Sequence, residues 1–219
     1  MRTLILVNTV CIAFGSATSA GDFTAKPTFK IGDPAPAIAP LSWIQGTPVT
    51  QFEPGRVYVV EFWATWCPPC IKAIPHLSAL QKKYPDKLTV IGVNVEALLG
   101  HEPKVGAMEN FMKKSGKDMT YTVAMDDPAK KTMSDAWITA SGSLGIPTAC
   151  IVDSQGKLAW VGYPDLVQSY AFDQALADTL AGKIDLARAR ALQVSTIHET
   201  AQYWANLNKP NKIPQALAK

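Results

Sequence analysis

Clustered positive charge is missing from this sequence. The formal net charge is +3 and no run of Lys or Arg interleaves with aromatics. Nucleic-acid binding is set aside on that ground. Long apolar runs are missing too. The longest, Leu4 to Phe14, falls short of the roughly 20 residues that a membrane-spanning helix needs. Histidine is sparse: His76, His101 and His198 are scattered, with no pair at ligand spacing. Four cysteines in 219 residues are too few for a disulfide-stapled miniprotein. There is no internal repeat and no low-complexity tract.

What is present begins with "MRTLILVNTVCIAFGSATSAGD". One Arg, an apolar stretch and a small-residue segment ending at Ala20 have the outline of a secretory signal peptide over 1–20. The expectation is an exported, periplasmic protein, with an uncleaved N-terminal membrane anchor as the lesser alternative. Cys11 leaves with the signal, so Cys67, Cys70 and Cys150 remain in a disulfide-permissive compartment. With 47% hydrophobic and 18% charged residues, the rest has an ordinary globular mix.

Residues 21–35 read as a linker punctuated by Pro27 and Pro34, and 36–182 as one domain. "LSWIQGTPVTQF" (41–52) reads as a short hairpin turning near Gly46 and Pro48. "RVYVVEFWA" (56–64) is the nearly continuous apolar run of a strand buried on both faces. A helix follows, with Ile71, Ile74, Leu77 and Leu80 at helical spacing and Pro75 as an expected kink. "KLTVIGVNV" (87–95) is a second buried strand, so 56–95 is strand–helix–strand with parallel pairing. A helix near 103–114, a strand at "YTVAM", and a helix over 127–140 beginning at an Asp cap come next. A hairpin over "GIPTACIVD" and "LAWVGYP" leads to a helix closing at Gly182. The tail 183–219 is helical in pattern through about Leu207.

Cys67 and Cys70 fall at the junction of the first buried strand and its helix. A structural zinc needs four ligands and one CxxC supplies two. A thiol site for a soft metal such as copper stays open as an alternative. A purely structural disulfide would close a loop too short to add much stability. At a helix start, free backbone N–H groups and the helix dipole favour a thiolate, lowering a cysteine pKa from about 8.5 to roughly 3.5–7.5. Redox chemistry with Cys67 as an exposed nucleophile and Cys70 as inward resolver is the reading preferred.

"VEFWATWCPPC", with "GIPT" about eighty residues on, resembles the exported thiol–disulfide oxidoreductases of the TlpA/ResA type, over roughly residues 30–182. The resemblance implies an α/β thioredoxin fold: a central mixed sheet flanked by helices, here with an N-terminal β-hairpin extension and a C-terminal helical tail. It implies catalytic roles for Cys67 and Cys70, with Glu61 as the buried acid exchanging the Cys70 proton. It implies substrate contact through Trp66, Ile146 and a cis Pro147, with Pro68, Pro69 and Pro75 supporting the motif. The implied partners are protein thiols and disulfides and a membrane or exported thiol donor, with no cofactor and no metal. The implied direction is reduction, with cytochrome c maturation as one setting; a dithiol oxidant for folding proteins is the alternative. Ala64 and Val60 stand where a peroxiredoxin would carry Thr and Pro, which disfavours peroxidase activity. Cys150, in the strand after Pro147, is expected to be a buried inert thiol. No motif covers the insert at 96–119 or the tail.

Overall fold

The structure is a computed structural model that describes residues 27–143, 145–164, 169–191 and 193. Residues 1–20, where a signal peptide is expected, and most of the C-terminal tail lie outside the described residues. Among those described, no helix is long and apolar enough to cross a membrane.

Six strands form one mixed sheet: β1 (Ser42–Gln45), β2 (Val57–Trp63), β3 (Leu88–Asn94), β4 (Thr122–Met125), β5 (Thr148–Val152) and β6 (Leu158–Gly162). Their order is β1-β4-β3-β2-β5-β6. The β2–β3 and β3–β4 pairs are parallel; β2–β5, β5–β6 and β1–β4 are antiparallel. Every residue of VYVVEFW in β2 is buried, as an unbroken apolar run at the centre of a covered sheet should be. Successive side chains serve opposite layers. Phe62 meets Trp137 with ring centroids 6.2 Å apart, while Trp63 meets Phe111 of α2 (Ala107–Ser115) at 5.0 Å.

Helix α1 (Pro68–Lys83) runs from the end of β2 and continues through Pro75, whose side faces solvent. Helix α3 (Ser169–Leu180) packs against β6 through Phe172, 5.4 Å from Trp160. It is tied to α1 by a 2.7 Å contact between His76 and Asp173. Past its end, Gly182 adopts φ 67° and the Lys183 N–H returns to the Asp178 carbonyl at 2.8 Å, the expected glycine stop.

Three expectations are corrected. The hairpin over 41–52 does not form. β1 instead joins the sheet edge against β4, and the residues after it are held by β4 and its approach. Gln45 Nε2 donates to the Met119 and Tyr121 carbonyls, and Thr122 Oγ1 donates to the Thr47 carbonyl at 3.3 Å. Gly46, at φ 78°, lies so close to Thr122 that a Cβ would come within 2.9 Å of its Cα. The linker expected to end at 35 is packed in its last part: Ile31 is fully buried and the Gly32 N–H donates to the Leu158 carbonyl. The helix expected from 127 begins later. Asp127 accepts the Ala129 and Lys130 N–H groups of a turn, and Asp126 accepts those of Met133 and Ser134, where a π-helical turn (Ser134–Thr139) begins.

Candidate redox site

Three strand ends meet at the site because of register. Parallel pairing of Trp63 with Asn94 sets residues 95–96 beside the turn leaving β2. Antiparallel pairing of Phe62 with Thr148 sets Ile146 and Pro147, just before β5, beside the same turn. Helix α1 begins there.

Cys67 is the N-cap of α1, and its Sγ accepts the Cys70 N–H at 3.3 Å. Pro68 and Pro69 occupy the first two helical positions and have no N–H, and the Ile71 N–H is spent on the Cys67 carbonyl at 3.1 Å. The Cys70 amide is therefore the one first-turn donor left for the sulfur. Cys67 and Cys70 form a disulfide, with their Cα atoms 5.3 Å apart. The Ile146–Pro147 peptide is cis, and the Ile146 carbonyl oxygen stands 3.8 Å from Cys67 Sγ. Ile146 and Pro147 are both buried, so what Ile146 presents here is its backbone.

The expectation of an exposed Cys67 is corrected. In the disulfide form it is 2% exposed against 0% for Cys70, because the Ile146 carbonyl and the helix start close over it. The two sulfurs differ by the amide contact rather than by open access. Trp66 is half-buried; its Nε1 donates to the Glu96 carbonyl at 3.1 Å, and His101 stacks on it at 3.8 Å and 16°. Pro68 is exposed, Pro69 half-buried, and Pro75 lies two turns away on the outer side of α1.

Glu61 is completely buried in β2, between Gly92 on β3 and Ala149 on β5. Desolvation pushes its pKa well above the ordinary carboxyl value. Neither of its oxygens has a hydrogen-bond partner; nearby, Tyr121 OH and Trp63 Nε1 are likewise buried and unpaired. Burial first and the Glu61 charge second push the Tyr121 hydroxyl up. Glu61 makes no hydrogen bond to either cysteine. Cys150 is a free, buried thiol pushed up by desolvation, as expected of an inert one.

Sequence reasoning missed Glu96 and His101. Polar Asn94 at the end of β3, with Glu96 two residues past it, was the available signal; the stacking of His101 had none.

Fold and cysteine pair together define a thiol–disulfide oxidoreductase of the thioredoxin fold. The chain belongs to the Redoxin family, whose pattern matches residues 30–179. It is 31% identical over 159 residues to the thiol-disulfide oxidoreductase ResA of Bacillus cereus, covering 72% of this chain and 83% of that protein. It is 30% identical over 143 residues to FixW of Rhizobium leguminosarum, covering 64% of this chain but 62% of FixW. A solved thiol:disulfide interchange protein from Chlorobium tepidum superposes with a TM-score of 0.52 at 28% identity, covering 68% of this chain and 97% of that one.

Proposed function

We propose that the protein is exported and reduces protein disulfides, with Cys67 attacking and Cys70 resolving. The observation that carries this reading is the N-cap position of Cys67, with the Cys70 N–H at its sulfur and the Ile146 carbonyl beside it. A thiolate there is stabilised by the helix start.

In the forward reaction the Cys67 thiolate attacks one sulfur of a substrate disulfide. That bond breaks, a substrate thiolate leaves, and a mixed disulfide on Cys67 forms. Cys70 gives its proton toward Glu61 and attacks Cys67 Sγ; the second substrate thiolate leaves and takes up a proton. The Cys67–Cys70 disulfide is the oxidised product, and a membrane or exported dithiol donor returns two electrons to it. Burial holds the Glu61 carboxyl well above its ordinary pKa and makes it a stronger proton acceptor than an exposed carboxylate, which supports Glu61 in this role. The substrate backbone pairs beside Ile146 and Pro147, and the exposed part of Trp66 forms the rim. Disulfides of the CxxCH haem-attachment sites of apocytochromes c are the proposed substrate class.

The test is the equilibrium potential of the Cys67–Cys70 couple, with reduction of a CxxCH peptide disulfide as the activity. A reductase is expected toward the thioredoxin end, about −270 mV; a value near about −120 mV would make the protein an oxidant.

A further inference from the structure

Glu96 lies at the first residues of the insert after β3, and its side chain reaches across to the turn before Cys67. Its Oε1 accepts the Thr65 N–H at 2.6 Å and Asn94 Nδ2 at 2.9 Å. Its carbonyl accepts Trp66 Nε1 at 3.1 Å, and the Val95 N–H donates to the Trp63 carbonyl at 2.8 Å. Trp63, Thr65 and Trp66, three of the four residues leading to Cys67, are thus held on one side by the segment 94–96. Among the described residues no lysine or arginine forms an ion pair with Glu96. It lines a cavity of about 150 Å³ together with Lys104, Glu109, Asp126, Asp127 and Lys131. The other titratable groups around the turn are His101, stacked over Trp66, and Glu61 in β2.

We infer that Glu96 is the positioning residue of the attacking cysteine: it clamps the Thr65–Trp66 turn and sets a carboxylate without an ion-pair partner at the amide two residues before Cys67. The inference rests on the reading that Cys67 is the attacking thiol. The charge-assisted bond to the Thr65 N–H is the stronger kind of hydrogen bond, so it fixes where the helix start presents the sulfur. Held at the Thr65 amide, two residues before Cys67 in the chain, the same charge opposes formation of a thiolate at that cysteine. A less stable thiolate favours the disulfide, and the couple is made more reducing. The insert, for which no sequence motif accounts, thereby acquires a function at the site.

The test compares full-length protein with Glu96→Gln and Glu96→Ala by the pH dependence of Cys67 alkylation, read by peptide mass. Glu96→Gln keeps an acceptor oxygen and removes the charge. Its alkylation midpoint is expected to fall by about half a pH unit with the plateau rate retained. Glu96→Ala also leaves the Thr65 N–H unpaired; its rate of attack on a peptide disulfide at full ionisation is expected to drop about tenfold. A Glu96→Gln midpoint equal to that of the parent overturns the inference, whatever Glu96→Ala does. Labelling of Cys70 before Cys67 in the parent protein is the separate result that would remove the underlying reading.

Discussion

Glu61 and Gly92 are direct partners across β2 and β3, and the side chain that Gly92 lacks leaves the space in which Tyr121 lies. A Cβ at position 92 would sit 2.8 Å from Tyr121 Cε2 and 3.3 Å from Trp63 Nε1. The buried carboxyl is thus flanked by small residues on both neighbouring strands and by an aromatic ring.

Gly92→Ala is expected to cost about 1–3 kcal/mol, the usual penalty for overfilling a packed core. Urea unfolding measures it. An unchanged midpoint would mean that Tyr121 moves aside freely and that the surroundings of Glu61 are loose.

Glu61 also sets a pH slope. Its folded pKa is raised, so the native protein holds this proton to a higher pH than the unfolded chain does. Between the ordinary value and the raised one the native state binds more protons, and its contribution to stability falls as pH rises. Glu61→Gln removes that slope. The variant should match the parent near pH 4 and become progressively more stable than it toward neutral and mildly alkaline pH. Unfolding curves at a series of pH values that stay parallel would contradict the burial argument.

The same substitution separates the two chemical steps. Glu61→Gln is expected to slow resolution of the mixed disulfide on the order of a hundredfold, the usual scale of a positioned acid–base group. The first attack by Cys67 should be largely retained. Rapid-quench analysis of the mixed disulfide measures both, and an unchanged resolution rate would make Glu61 structural.

The His101 ring covers one face of Trp66. His101→Ala should increase quenching of Trp66 by acrylamide while changing stability by no more than about 0.5 kcal/mol, since His101 is exposed. Identical quenching in variant and parent would mean that the stack does not persist in solution.

Much of this was legible in the sequence because single residues or short runs carried it. β2 announced itself by seven consecutive residues fit for a doubly covered strand, and Cys67 and Cys70 by their place at a strand-to-helix junction. Glu61 stood out as one acid inside an apolar run, and Pro147 by its motif. Features set by pairing between distant segments were not legible. β1 has a hairpin's local pattern, yet β4, some eighty residues later, offers it an edge. Glu96 matters only through the register that lays Asn94 against Trp63. The closure of Cys67 depends on a carbonyl arriving from residue 146, which no local pattern encodes.

The central claim is that Cys67 attacks and Cys70 resolves. It is tested most directly by incubating reduced Cys70→Ser and Cys67→Ser variants with a protein disulfide and identifying the trapped linkage by peptide mass. The account predicts a stable mixed disulfide on Cys67 in Cys70→Ser and no adduct in Cys67→Ser. A mixed disulfide that accumulates on Cys70 in Cys67→Ser, with none on Cys67 in the other variant, would contradict it.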